Sequence, residues 1–226
     1  MISLAIDTSN SSGSIALMKN RELVFSSFFN IKITHSETLM PEIDRALSLC
    51  NVDTSDLDAI LIAIGPGSFT GLRIGLATAK GISFAHKLPL IPISSLKIVA
   101  MNYYKCGKDI LVMQDAKMKE VYLAVYSSNL DEIVAPCCIS PDDVVKFIEK
   151  PTIAVGTGVN PYRKFISDNP NIEINDLEDK NLAKAESMFS VTQIENIHPS
   201  FDFDFNSQLE PYYIRKSQAE VNRTQS

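Results

Sequence analysis

Four short stretches of this chain carry residue types that could do chemistry. The longest, GPGSFTGLRIG from Gly65 to Gly75, follows an apolar run of strand length at 59–64 and opens a small-residue segment of helix length at 72–85. A strand, a glycine turn and a helix start can cradle a phosphate, because backbone N–H groups and the helix dipole point at the anion. The same glycines let one backbone pass close to another. The P-loop spacing is absent, since neither Gly65 nor Gly67 has a glycine five residues later, and a G-x-G-x-x-G fingerprint fails at Thr70. Close approach is therefore the favoured role. The other stretches are Asp7-Thr8-Ser9, Asp115-Ala116-Lys117 and Gly156-Thr157-Gly158, each at the end of a strand-like run. A carboxylate and hydroxyls at the mouth of a hairpin can surround the phosphates and metal of a nucleotide. Taken singly, each is more simply a turn that caps its own backbone.

The elements that position these stretches follow from periodicity. Residues 2–6, 14–18 and 22–29 read as three strands with tight connections at 10–13 and at Lys19-Asn20-Arg21. A helix follows, with Ser36 as cap, Leu39, Met40, Ile43, Leu47 and Cys50 at helical spacing, and Pro41 bending its first turns or marking its start. Strand 59–64, helix 72–85, strand 90–93 and a third helix at 94–104 complete the first half. The order β-β-β-α-β-α-β gives a mixed sheet with helices packed on it. The second half restarts this pattern more weakly. Strands are expected at 110–114 and 121–126 around a turn at 115–120, with a short edge at 133–134 and a strand at 152–156. Helices are expected at 141–150 behind Ser140, at 161–167 and at 182–189. Residues 198–208 are aromatic and acidic without a period, and 218–226 form a polar tail.

The chain is therefore expected to divide into residues 1–100 and 101–226, with a C-terminal segment packing back on the first part. Three chemistry-bearing turns spaced through a duplicated meander fit the nucleotide-binding layout of the actin–hexokinase–Hsp70 (ASKHA) fold. The fold class is α/β, with two related mixed-sheet subdomains, flanking helices and a reduced second copy.

The segment at 72–85 has too many apolar faces for a helix lying on one sheet. Leu72, Ile74, Leu76, Ile82 and Phe84 do not keep to one stripe, while Gly71, Gly75 and Ala79 fall at i, i+4 and i+8. Interior glycine costs a helix about 0.5–1 kcal/mol relative to alanine, so a pair of them asks for a reason. The reading preferred here is a subunit interface, with residues 39–47 beside this helix. The simpler one is a helix sandwiched inside its own domain.

Composition narrows the classes further. Hydrophobic residues make up 45% and charged residues 21%, ordinary for a globular protein, and the net charge of −6 with scattered basic residues argues against gripping nucleic acid alone. Cys50, Cys106, Cys137 and Cys138 form no C-x-x-C pair, and His35, His86 and His198 are too dispersed for a local metal motif. The amino terminus, MISLAIDTS, lacks a basic leader, and no apolar run reaches membrane-spanning length. A soluble cytoplasmic protein with no membrane association is expected.

The combination IDTSNSSGSIAL from Ile6, HSETLMPEID from His35, GPGSFTGLRIGLATAKG from Gly65 and DAKMKEVY from Asp115 resembles the TsaB (YeaZ) family, as does PYYIR from Pro211. The resemblance covers most of residues 1–125 and then thins. It implies a scaffold, and no catalyst, for TsaD, the longer paralogue that transfers threonylcarbamoyl to tRNA and makes N6-threonylcarbamoyladenosine beside the anticodon. It implies a partner face on the two N-terminal helices, which places Leu39, Met40, Ile43, Leu47, Gly71, Arg73, Ile74, Gly75, Ala77, Thr78 and Ile82 at an interface. It also implies self-pairing when the chain is alone, the ATPase TsaE as a further partner, and tRNA contact only through the complex. No cofactor is expected on this chain by itself; ATP or ADP would sit at the seam with TsaD. Asp7, Thr8, Ser9, Asp115, Lys117, Gly156 and Gly158 are the candidates for nucleotide contact. TsaD carries a metal-binding H-x-x-x-H pair where this chain has Ser95 and Val99, so no metal is expected. The alternatives are an independent actin-like ATPase or small-molecule kinase and, least favoured, a metallopeptidase.

Overall fold

The computed structural model describes residues 1–30, 34–197 and 200–215, so the polar tail read at 218–226 lies outside the described residues. The chain forms two compact units, one of Met1–Met101 with Ala183–Pro211, the other of Asn102–Leu182 with the stretch from Tyr212.

Unit one begins with β1 (Ile2–Asp7), β2 (Gly13–Lys19) and β3 (Glu22–Phe29), paired antiparallel in sequence order. Asn20 and Arg21 close the β2–β3 hairpin with φ of 52° and 69°, the two left-handed positions of a type I′ turn. Then come α1 (His35–Leu49), β4 (Ala59–Gly65), α2 (Phe69–His86), β5 (Leu90–Ser94) and α3 (Ser95–Met101). β4 adds parallel to β1 and β5 parallel to β4, giving the sheet order β3-β2-β1-β4-β5. The returning segment supplies α4 (Ala185–Ile194) and α5 (Phe203–Gln208).

Alternation along the strands sends Leu4, Ile6, Ile15, Leu17, Ile60 and Ile62 to one face, where Leu39, Ile43, Ala46 and Leu47 of α1 and Leu76 and Ala79 of α2 cover them. Each such side chain, fully buried, contributes about 1.5–3 kcal/mol. The opposite face carries α4, fixed where the buried Ala185 N–H donates to Ser14 Oγ at 2.9 Å. Ion pairing of Lys97 with Glu195 and a bond from Ser26 to Glu186 hold the flanks of α4.

Several boundaries differ from the expectation. The N-cap position of α1 is Thr34, not Ser36, and the helix continues through Pro41. α4 occupies Ala185–Ile194 instead of 182–189. The helix expected at 94–104 stops at Met101.

Unit two repeats the sheet. β6 (Asp109–Asp115), β7 (Val121–Tyr126), β8 (Glu132–Ile139), β9 (Thr152–Val155) and β10 (Ile172–Ile174) assemble in the order β10-β9-β6-β7-β8, the arrangement of unit one with each strand's counterpart in place. Its core joins Leu111, Met113, Leu123 and Val125 to Val144, Val159 and Ile166. The expected edge at 133–134 is a full strand of 8 residues. The helix expected at 141–150 is a 3₁₀ segment, Pro141–Phe147, and that expected at 161–167 is one 3₁₀ turn, Arg163–Phe165.

Candidate functional site

In unit one the chemistry-bearing loops meet at the carboxyl ends of β1 and β4. Ser68 caps α2, its Oγ accepting from Gly71 N–H at 3.2 Å, and its own N–H donates to Ser9 O at 2.7 Å. Thr8 Oγ1 donates to Gly71 O at 2.8 Å. The glycines make this contact possible. A Cβ on Gly67 would stand 2.2 Å from Ser9 O, one on Gly71 2.0 Å from Thr8 O, and one on Gly75 2.2 Å from Thr8 Oγ1. The notch along α2 therefore receives the chain's own β1–β2 loop. The sequence reading, which pointed Gly71, Gly75 and Ala79 at another polypeptide, is corrected here: those positions face the sheet.

Asp7, Thr8 and Ser9 are buried beneath this contact. Asp7 Oδ1 accepts the Ser9 N–H at 2.9 Å. Burial pushes the Asp7 carboxyl up to about 6, against the Ser9 hydrogen bonds and the His35 charge that pull it down. His35, at the first position of α1, closes the cluster through Nε2 and Asn10 O at 2.8 Å and lies edge-on to Phe29. The result is a buried carboxyl held well above its ordinary pKa, set in a loop whose Thr8 hydroxyl is committed to the helix.

Unit two brings together Asp115, Lys117, Gly156 and Gly158. Asp115 accepts from Lys117 Nζ at 2.7 Å, from Lys117 N–H at 2.9 Å and from Tyr162 Oη at 3.3 Å. Burial works against the ionised carboxyl, but these donors outweigh it and hold Asp115 below its ordinary pKa. Gly156, at φ 103°, would place a Cβ 2.3 Å from Met113 O, and Gly158 N–H donates to that same carbonyl at 2.9 Å. Asn181 accepts from Gly156 N–H at 3.0 Å and from Asn175 Nδ2 at 3.2 Å. Sequence reading gave no role to the side chains of Asn181, Tyr162, His35 and Ser14, because each acts on a residue remote in sequence.

The expected interface residues divide by exposure. Leu39, Ile43, Leu47, Gly71, Gly75 and Ile82 are buried in the chain's own core, so they cannot present side chains outward. Met40, Arg73 and Ala77 are exposed, and Ile74 and Thr78 are half-buried. Part of the surplus apolar surface of α2 is covered by α5. Phe203 packs on Phe84 at 5.3 Å between ring centroids, and buried Asn206 Nδ2 donates to Ser83 Oγ at 2.8 Å. The exposed residues of α2 include Arg73, Ala77, Gly81 and Ala85, a row at four-residue spacing. Ser95 and Val99, four residues apart on α3, are both buried. No group of three or more His, Cys, Asp or Glu side chains converges as a metal cluster among the described residues. The four cysteines are unpaired, and burial pushes Cys138 up to about 11.

Two copies of a five-stranded mixed sheet in one order, each with its turns at the strand ends, define an actin–hexokinase–Hsp70-like fold. A family model described as TsaD, tRNA N6-adenosine threonylcarbamoyltransferase, matches residues 30–193. The tRNA threonylcarbamoyladenosine biosynthesis protein TsaB of Bacillus subtilis is 30% identical over 74% of this chain and 76% of its own length. Its namesake in Haemophilus influenzae is 29% identical over 94% and 92% respectively. A solved structure described as an uncharacterized protein with similarity to peptidase YEAZ, from Pseudomonas aeruginosa, superposes with a TM-score of 0.81 at 26% identity, covering 95% of this chain and 99% of that one. The chain belongs to the TsaB (YeaZ) family. Among the described residues no helix is long and apolar enough to cross a membrane.

Proposed function

We propose that this chain is a non-catalytic scaffold subunit of the machinery that forms N6-threonylcarbamoyladenosine in tRNA, and that it docks TsaD through the outward faces of α1 and α2. Family membership supports the process. The scaffold role rests on reading Ser95 and Val99 as the counterparts of the histidine pair of TsaD; neither side chain can ligate a metal as imidazole does. An adenine nucleotide belongs in this reading to the seam with TsaD, TsaE is a further partner, and self-pairing uses the same face.

The observation that carries the docking face is Gly81. It lies exposed in the interior of α2, and a Cβ there would meet nothing within 4 Å in its own chain. It costs the helix about 1 kcal/mol with no internal compensation. Flanked by Ala77 and Ala85, it leaves a shallow channel into which another helix can settle. Gel filtration with purified TsaD tests this. The wild type should co-elute with TsaD at low micromolar concentration, and Gly81→Trp should separate from it while keeping its thermal transition. Separate wild-type peaks would refute the scaffold reading, and a co-eluting Gly81→Trp would refute the docking face.

A further inference from the structure

The opposite end of the first sheet holds a second feature. The candidate site described above lies at the carboxyl ends of β1 and β4. A cavity of about 730 Å³ opens instead near their amino ends, between the sheet and the C-terminal half of α4. That volume falls within the range of small-molecule sites, about 300–1,000 Å³. Its floor is Met18, Leu61, Ile91 and Phe189, of which the last three are almost fully shielded from water. Its rim includes Asn20 and Arg21 of the hairpin turn.

Arg21 sets the chemistry of the occupant. It sits at φ 69° in the second position of the type I′ turn, where glycine is the favoured residue. A non-glycine residue there costs about 1–2 kcal/mol. Among the described residues no ion pair or hydrogen bond engages its guanidinium. The neighbouring cation, the Met1 ammonium, is already compensated: it donates to Asn20 Oδ1 at 2.9 Å and faces Asp58 at 3.8 Å. One uncompensated planar cation above an apolar floor suits one carboxylate carried on an apolar body. The other polar side chains of the lining, among them Thr192, Gln193 and Asn196, are uncharged, so Arg21 is the one side-chain cation in the lining available to an anionic group.

We propose that this cavity binds a small amphipathic monocarboxylic acid, its tail on Leu61, Ile91 and Phe189 and its carboxylate on Arg21. The site is independent of partner docking. Titration of the ¹⁵N-labelled full chain with octanoate, and with octanol as its neutral counterpart, tests it. Octanoate should shift the amides of Ser3, Asn20, Arg21 and Asn196 and bind roughly tenfold tighter than octanol. Arg21→Gly should abolish that discrimination while keeping or raising the melting temperature, because glycine suits the turn. Arg21→Gln, which keeps the length of the side chain without its charge, should behave alike. No shift with octanoate in the millimolar range, equal binding of acid and alcohol by the wild type, or discrimination that survives both substitutions would each overturn the proposal.

Discussion

Gly75→Ala separates an internal notch from an external one. The added Cβ would stand 2.2 Å from Thr8 Oγ1 but 3.4 Å from Ile62 Cδ1 and 3.5 Å from Thr8 Cβ, so only the hydroxyl obstructs it. That hydroxyl is fully buried and donates to Gly71 O at 2.8 Å. Turning it away forfeits the bond and strands a buried donor, a loss of about 1–3 kcal/mol. Alanine returns about 1 kcal/mol of helix propensity. The net cost is up to about 2 kcal/mol, and the melting temperature should fall by up to roughly 8 °C. In a Thr8→Ala background the obstruction is gone, so the same substitution should stabilise by up to about 1 kcal/mol. The double-mutant cycle then gives a coupling of about 2 kcal/mol, within the range for residues in contact. Gly81→Ala is the control. With nothing near its Cβ, it should stabilise the isolated chain by about 1 kcal/mol. Urea and thermal denaturation of the four cycle members supply the energies, and gel filtration reports pairing. A Gly75→Ala chain as stable as the wild type, yet unable to pair, would show that the notch faces a second polypeptide after all.

Asp7 and Ser14 give further tests. The folded pKa of Asp7, about 6, lies above its ordinary 3.8, so the folded state holds the proton between those values. The stabilising contribution of Asp7 should therefore be full below about pH 4 and decline by up to about 3 kcal/mol as pH rises through 6. Asp7→Asn keeps an acceptor for Ser9 N–H; in urea midpoints it should flatten this slope and exceed the wild type at pH 7. Ser14→Ala strands the buried Ala185 N–H and should cost about 1–3 kcal/mol, with faster hydrogen exchange at that amide. Unchanged exchange would mean that α4 is held by packing alone.

Unit one was largely legible because its signals are local. Residues 59–64 form a buried parallel strand and read as a continuous apolar run, and Asn20-Arg21 is the two-residue turn that joins β2 to β3. The glycine row on α2 was legible as a spacing, but spacing does not say which side of the helix a neighbour approaches from. The apolar residues that seemed to surround α2 concealed that it touches the sheet, α1 and α5 together. Unit two was harder. Its connections are short 3₁₀ segments, and β10 has only 3 residues. α5 is set by its cap, Asp202 accepting from Phe205 N–H at 2.9 Å, and by Asn206 reaching Ser83 across 123 positions in sequence. No window of sequence contains that second contact.

The two sheets share one order and are clothed differently, and this bears on stoichiometry. In unit one the connections after β3 and β4 are long helices, α1 and α2, whose outer sides present residues four apart. In unit two the corresponding connections hold Pro141–Phe147 and Arg163–Phe165, 3₁₀ segments that cannot present an i, i+4 face to another helix. The duplication therefore leaves a single helix pair of this kind among the described residues. A self-complementary face used once closes on itself as a two-fold dimer, whereas two different faces would generate rings or filaments. Sedimentation equilibrium should accordingly find dimers of the isolated chain and one-to-one complexes with TsaD, with the self-dimer dissolving as TsaD is added. Oligomers that grow with concentration, or a ternary species in which TsaD binds the intact self-dimer, would require a second docking face and would move the site off α2.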